Sequence, residues 1–152
     1  MTSKIDYPPL LGHGVHPFTP LQLRQLTVEA FPDSRRRPSL LKNLFAYLDR
    51  LSATGLVFEV LIGGSFVCRK PSPNDVDLII VYDADSVRRL SPKEKSLVAP
   101  LLHPKYVFNE YQLDVRGVRS SDDDGITYWL NKFGTQRDDT TPQGLVSVRL
   151  KP

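Results

Sequence analysis

Residues 61–83 of this chain, LIGGSFVCRKPSPNDVDLIIVYD, decide its fold. An apolar run at residues 56–62 predicts a strand, and this strand ends at the Gly-Gly-Ser turn of residues 63–65, where the glycines allow close turning of the backbone. Asp75 and Asp77 then introduce a second apolar run, which predicts a second strand. Because alternate side chains of a strand share a face, we expect these two aspartates to point the same way.

Two carboxylates at the start of an apolar strand repel each other and are costly to bury. A bound divalent cation relieves both problems, and Mg²⁺ prefers the hard oxygen ligands that carboxylates supply. The pattern therefore predicts Asp75 and Asp77 as metal ligands.

A third candidate carboxylate, Asp114, lies in the run Tyr-Gln-Leu-Asp-Val. Residues 105–118 predict one long strand, in which parity places Gln112 and Asp114 on the face opposite Leu113 and Val115. A charged residue within an apolar run is informative, because such runs are usually buried. Two interpretations remain open: an active-site carboxylate beside the upstream pair, or a charge on a half-exposed edge strand.

These features resemble the nucleotidyltransferase superfamily that includes DNA polymerase β and the small bacterial antibiotic and protein nucleotidyltransferases. In that superfamily a Gly-Ser turn after the first strand binds the nucleotide phosphates, an Asp-x-Asp pair on the next strand holds two metals, and a third carboxylate lies on a later strand. The matching residues here are Gly64, Ser65, Asp75, Asp77 and Asp114. The resemblance covers residues 56–118. The GGSFV…PNDVDLI core and residues 133–148 also resemble a small family of nucleotidyltransferase-like bacterial and phage proteins.

The resemblance implies a metal-dependent enzyme that moves a nucleoside monophosphate from a nucleoside triphosphate to a hydroxyl of a protein or RNA acceptor. It implies two Mg²⁺ ions, with Mn²⁺ as an alternative, held by Asp75, Asp77 and Asp114. Asp114 is then the residue that holds the catalytic metal and orients or deprotonates the acceptor hydroxyl. The competing interpretation is a catalytically inactive module of the same fold that binds a partner protein or a nucleotide.

The nucleotide phosphates have their own candidate residues around the turn. By the same resemblance, Gly63 and Gly64 let phosphate approach the backbone, and the Ser65 hydroxyl donates to phosphate oxygens. Arg69 and Lys70 follow in a proline-rich loop, where they either face the triphosphate or are solvated charges. The alternative for the whole turn is an ordinary strand end, with Asp77 an exposed strand residue.

The biological setting is an implication of the resemblance alone. Only about 38 residues follow Asp114, which is too few for a helical acceptor-binding domain, so a partner protein is expected to supply the acceptor site. Minimal members of the superfamily often act beside such a partner in toxin–antitoxin or phage-defence pairs.

Composition sets broader limits. The chain has 152 residues, 40% hydrophobic and 24% charged, which is typical of one globular domain. Its net charge of +3 permits contact with nucleotides or nucleic acid without demanding it. The single cysteine excludes an internal disulfide and favours a cytoplasmic location, and the absence of a long apolar run argues against a membrane span.

The remaining patterns predict an α/β (α+β) fold, a small mixed sheet with helices packed mainly on one face. Residues 1–19 are interpreted as an extended arm and residues 20–152 as a single nucleotidyltransferase-like domain. The basic run at residues 35–37 is interpreted as a solvated link, with phosphate contact as its alternative. The predicted helices are residues 20–31, 38–54, 91–97 and 125–133, and the further predicted strand is 144–150.

Overall fold

The computed structural model describes residues 7–136 and 138–150, and within them five strands form one mixed sheet. The strands are β1 (Val15–Pro17), β2 (Phe58–Gly63), β3 (Val76–Tyr82), β4 (Leu113–Arg119) and β5 (Leu145–Leu150). The α-helices are α1 (Pro20–Arg24), α2 (Arg36–Ala53), α3 (Ala84–Arg88), α4 (Pro92–Val98), α5 (Pro104–Tyr111) and α6 (Asp123–Phe133). This architecture confirms the predicted α+β class. The start of the predicted arm (residues 1–6), Arg137 and residues 151–152 lie outside the described residues.

The strand order is β1-β5-β2-β3-β4. The central strand β2 runs antiparallel to both β3 and β5, whereas β4 is parallel to β3 and β1 is parallel to β5. As a result, the end of β2 lies beside the starts of β3 and β4. Strand β1 was not predicted; it places part of the N-terminal segment on one edge of the sheet.

The main core lies between α2 and one face of the sheet. Helix α2 buries leucines at helical spacing, and Phe58, Val60 and Ile62 of β2 face them. Gly55, at φ +77°, ends the helix in a conformation that favours glycine. Helices α1 and α5 contribute Leu23 and Val107 to the same core, so most helical packing is on this face, as predicted.

Helix α6 covers the opposite face. Its residues Trp129 and Phe133 pack against a small buried cluster formed by Leu61, Ile79 and Val118. The helix begins after an acidic run, because the first aspartate of that run caps it by accepting a hydrogen bond from a backbone amide in the first turn. The candidate aspartates of β3 and β4 lie on this α6 face.

Two other helix starts are fixed by local capping. Thr19 precedes α1 and Ser91 precedes α4, each forms a capping box, and each is followed by a proline at the first helical position. No helix in the described part of the chain is both long and apolar enough to cross a membrane.

The prediction of one long strand over residues 105–118 is wrong. Residues Pro104–Tyr111 form helix α5, because the His103 ring accepts from the Tyr106 amide and Pro104 suits the first turn. Gln112, at φ +59°, then reverses the chain in a left-handed conformation, so it does not share a strand face with Asp114. Strand β4 begins only at Leu113.

Candidate functional site

The strand register places a glycine and two aspartates in one row across the sheet. Gly63 at the end of β2 is paired with Asp77 on β3, and Asp77 is paired with Asp114 on β4. Asp114 lies on the face opposite the buried Leu113 and Val115, as its strand parity predicted. The candidate carboxylates of the two strands are therefore neighbours on the α6 face.

Asp77 is a partly buried carboxylate of this row whose pKa is strongly raised. Its side chain is 19% exposed. Burial raises the pKa of Asp77 from 3.8 to about 6, and the negative charges of Asp75 and Asp114 add to the rise while Arg116 opposes it. Asp75, just before β3, is thus close enough to act electrostatically on Asp77. A negative charge at Asp77 is costly at neutral pH unless more positive charge reaches it.

The turn after β2 presses directly against this carboxylate. Residues Gly64–Val67 form a single 3-10 turn, as the short loop predicted, and Gly64 has φ +71°. A side chain at Gly64 would collide with the Asp77 carboxylate, since a Cβ there would lie 2.9 Å from the Asp77 Cγ. Only glycine lets the turn and the aspartate approach this closely.

A buried polar group fixes the same turn from behind. Gln143, 5% exposed, donates from Nε2 to the Gly64 carbonyl at 3.1 Å and accepts from the Cys68 thiol at 3.2 Å. Cys68 therefore has a structural position. Gln143 belongs to the segment that carried part of the resemblance, but nothing in its sequence context indicated this contact.

Interpreting the basic run at residues 35–37 as a solvated link is wrong for two of its residues. Arg37 is fully buried and donates to backbone carbonyls. The accepting carbonyls are those of Thr27, Ser65, Phe66, Cys68 and Lys70. Its guanidinium also lies 3.8 Å from the Phe31 ring centroid. Burial lowers the pKa of Arg37 to about 10, while Cys68 opposes the change, so the group is charged at neutral pH and its charge is shared among carbonyl dipoles.

Arg36 holds the other loop that leads to the aspartates. It donates to the carbonyls of Pro73 and Asn74, the latter at 2.5 Å, and to the Gln112 side chain at 3.0 Å. These contacts join the residues just before Asp75 to the residue just before β4. One helix terminus thus orients both acidic segments. The signal for Arg37 was present in the sequence, because it lies three residues before Leu40 on the apolar stripe of α2.

Arg116 is a further site residue that sequence reasoning missed. Its guanidinium pairs with the Asp114 carboxylate at 2.8 Å and with the Asp77 carboxylate at 3.4 Å. It also lies over the rings of Phe133 (4.8 Å) and Trp129 (5.1 Å) on α6. Strand parity could have found it, because residues 114 and 116 share one face of β4.

The side chains predicted to bind phosphate are those of Ser65, within the turn, and Arg69 and Lys70, after it. Ser65 is half-buried within the 3-10 turn, Arg69 is exposed and Lys70 is half-buried. Backbone contacts fix the last two: the Arg69 amide donates to the Pro8 carbonyl at 2.8 Å, and the Lys70 carbonyl accepts from Arg37. That all three side chains contact phosphate stays a prediction.

The chemistry of the donors suits a hard divalent cation, since the three candidates are carboxylates and one is forced into a buried, repulsive position. Over residues 7–136 and 138–150, however, no group of three or more His, Cys, Asp or Glu side chains is gathered closely enough to hold a metal ion. The described arrangement is one in which Arg116 supplies the positive charge.

The sequence model of a protein family, described as a family of unknown function (DUF6932), matches residues 4–149 of the chain. No curated protein and no solved structure matches the chain.

Proposed function

This chain belongs to DUF6932, a family of unknown function, and we propose that it is a metal-dependent nucleotidyltransferase. The reaction transfers a nucleoside monophosphate from a nucleoside triphosphate to a hydroxyl of a protein or RNA acceptor. We place this activity in the cytoplasm, beside a partner protein that supplies the acceptor site, in a toxin–antitoxin or phage-defence setting.

One observation carries the proposal: the row of Gly63, Asp77 and Asp114 across three adjacent strands, with the turn of Gly64 packed on the Asp77 carboxylate. A buried charge that is repelled by two neighbouring carboxylates destabilises a fold. A function that needs the negative charge would explain why the cluster is present. Strongly shifted pKa values are found preferentially at functional sites. The resemblance of the same residues to nucleotidyltransferase motifs supports the assignment.

Asp75, Asp77 and Asp114 would hold the divalent cations, Mg²⁺ or Mn²⁺, which supply Lewis acidity and neutralise charge on the phosphates. The carboxylates fit this role because their oxygens are hard ligands and because Asp77 lacks sufficient positive charge without one. The backbone of Gly63 and Gly64 and the Ser65 hydroxyl bind the phosphates.

The chain's own residues then have defined tasks in the transfer. The acceptor hydroxyl attacks the α-phosphorus, a new phosphorus–oxygen bond forms, and the bond to the β-phosphate oxygen breaks, so pyrophosphate leaves. Asp114 orients the hydroxyl and takes its proton. Positioning and charge neutralisation supply most of the acceleration in such reactions, and Arg36 and Arg37 fix the loops that provide it.

The proposal is tested with the purified chain, Mg²⁺ and each common nucleoside triphosphate labelled at the α-phosphate, with protein and RNA fractions of a cell extract as acceptors. We expect label in one fraction and pyrophosphate release, both absent when EDTA is added and in Asp77→Asn. Asp49→Asn, which changes an exposed carboxylate on α2, is the matched control and should retain activity. Mg²⁺-independent labelling, or undiminished labelling by Asp77→Asn, would contradict the proposal.

A non-enzymatic module remains the second candidate, because Arg116 already pairs with Asp77 and Asp114. Of the two inactive modules considered, the one that binds only a partner protein is expected to be stabilised by that partner and not by nucleotide with Mg²⁺; one that binds nucleotide would be distinguished by the absence of labelling in the transfer assay. Thermal unfolding with and without nucleoside triphosphate and Mg²⁺ separates the two.

A further inference from the structure

One arginine pairs with two of the three proposed metal ligands. Arg116 Nη2 lies 2.8 Å from Asp114 Oδ2, and Arg116 Nη1 lies 3.4 Å from Asp77 Oδ1 and 3.3 Å from the Asp114 carbonyl. The Arg116 side chain is 25% exposed, so these contacts are partly shielded from water. Ion pairs in such places are stronger than those on an open surface.

The guanidinium is also held from the helix side. It lies over the rings of Trp129 and Phe133, which stack on each other with centroids 5.9 Å apart and planes 24° apart. A guanidinium stacked on aromatic faces gains cation–π attraction, and its planar fork is directed at the two carboxylates. Arg116 thus lies between helix α6 and the carboxylates of Asp77 and Asp114.

We propose that Arg116 is the resident counter-cation of the site, and that a divalent cation reaches Asp77 and Asp114 only when the Arg116 guanidinium is displaced. The inference rests on the proposed function, because it assumes that these carboxylates bind metal. Two positive groups cannot share the same carboxylate oxygens without strong repulsion. Arg116 therefore lowers metal affinity in the free protein.

Displacement gives Arg116 a second partner when nucleotide is present. An arginine fork pairs well with phosphate oxygens, so a triphosphate beside the Gly64 turn offers the displaced guanidinium an equivalent partner. Metal and nucleotide then bind cooperatively, and metal alone binds weakly. Because Trp129 is the single tryptophan of the chain, its fluorescence reports the loss of the stacked guanidinium.

The experiment measures Mn²⁺ binding by electron paramagnetic resonance without nucleotide, for the wild type, Arg116→Met and Arg119→Met. Arg119 is an exposed residue of the same strand whose parity places it on the other face, so its loss removes equal charge but no ion pair to the row. We expect Arg116→Met to lower the Kd for Mn²⁺ by about tenfold or more, the factor that corresponds to 1.4 kcal/mol. Arg119→Met should leave the Kd close to that of the wild type.

A second measurement separates displacement from general charge effects. Saturating Mg²⁺ should change Trp129 fluorescence in the wild type and in Arg119→Met, but not in Arg116→Met, where the stacked cation is already absent. If Arg116→Met fails to fold, Arg116→Lys keeps the charge but loses the planar fork, and it should bind Mn²⁺ more tightly than the wild type.

The outcomes distinguish this inference from the function on which it rests. Measurable Mn²⁺ binding with equal Kd values in the wild type and the folded Arg116 variant would overturn the counter-cation role and leave the proposed function standing. An equal gain in Arg119→Met would also overturn it. Mn²⁺ binding by none of the variants without nucleotide would overturn this inference. Its absence also with a non-hydrolysable nucleoside triphosphate present would overturn the proposed function.

Discussion

Replacing Asp77 by asparagine should stabilise the metal-free protein while removing its proposed activity. The substitution keeps the side-chain shape against the Gly64 turn but removes the charge that burial, Asp75 and Asp114 all disfavour. The rise of the Asp77 pKa from 3.8 to about 6 corresponds to roughly 3 kcal/mol, at about 1.4 kcal/mol per pH unit. We expect Asp77→Asn to gain about 2–3 kcal/mol in the free energy of unfolding at neutral pH and above.

The pH dependence follows from the direction of this change. A carboxyl whose pKa is raised in the folded state binds its proton more tightly there than in the unfolded state, so its ionisation costs stability. The cost is fully present above the folded pKa of about 6 and fades as the pH falls towards the ordinary value of 3.8. The advantage of Asp77→Asn should therefore fall below about 1 kcal/mol near pH 4.

Urea unfolding with EDTA, followed by the fluorescence of Trp129, measures this difference across the pH range. Asp49→Asn, at an exposed position on α2, is the control for losing a carboxylate and should show no comparable gain. A variant at position 77 that is no more stable than the wild type at neutral pH would refute the reasoning. So would an advantage that does not depend on pH.

Urea unfolding of three further variants tests two residues beside the site and one in the main core. Gly64→Ala should cost about 1–3 kcal/mol, because of its positive φ and the Asp77 carboxylate beside it, and stability within error of the wild type would contradict the close approach. Arg37→Lys should cost about 3 kcal/mol, since lysine cannot replace the fork that serves several carbonyls, and a neutral result would show that these bonds are dispensable. Tyr47→Phe should cost about 1–2 kcal/mol, because its hydroxyl donates to the Leu101 carbonyl at 2.6 Å in the core, and an unchanged midpoint would exclude that contribution.

Local patterns predicted the part of the fold that carries the candidate site. The strand, the short turn and the second strand are specified within residues 56–82 by apolar runs, glycines and prolines that act on their own backbone. The helix starts at Thr19 and Ser91 are equally local, because a cap and its amide are three residues apart. Signals of this kind need no knowledge of the tertiary structure.

The segment before β4 shows where such reasoning fails. Alternation of Tyr106 and Phe108 suggested a strand, but both side chains are exposed, and the residues that face the core are Val107 and Tyr111 at helical spacing. A short run fits both periods, so the choice depends on the tertiary core that it meets. The helix ends at Gln112, which adopts a left-handed conformation that its residue type does not predict.

The partners of the arginines could not be predicted, for a different reason. The residues that accept hydrogen bonds from the Arg36 side chain are 37 to 76 residues away in the chain, and those that accept from the Arg37 side chain are 10 to 33 residues away. Arg116 pairs with Asp77 only because β3 and β4 are parallel and in this register. The partners of buried charges depend on the topology of the fold, and a basic run in a sequence does not reveal that topology.

The central claim is that Asp75, Asp77 and Asp114, together with the Gly64 turn, bind a nucleoside triphosphate and a divalent cation. Isothermal titration of the wild type and Asp77→Asn with non-hydrolysable nucleoside triphosphates, in the presence and absence of Mg²⁺, tests it most directly. The account predicts binding of at least one nucleotide that requires Mg²⁺ and is lost in Asp77→Asn. Binding that ignores Mg²⁺, equal binding by the variant, or no binding of any nucleotide would contradict it.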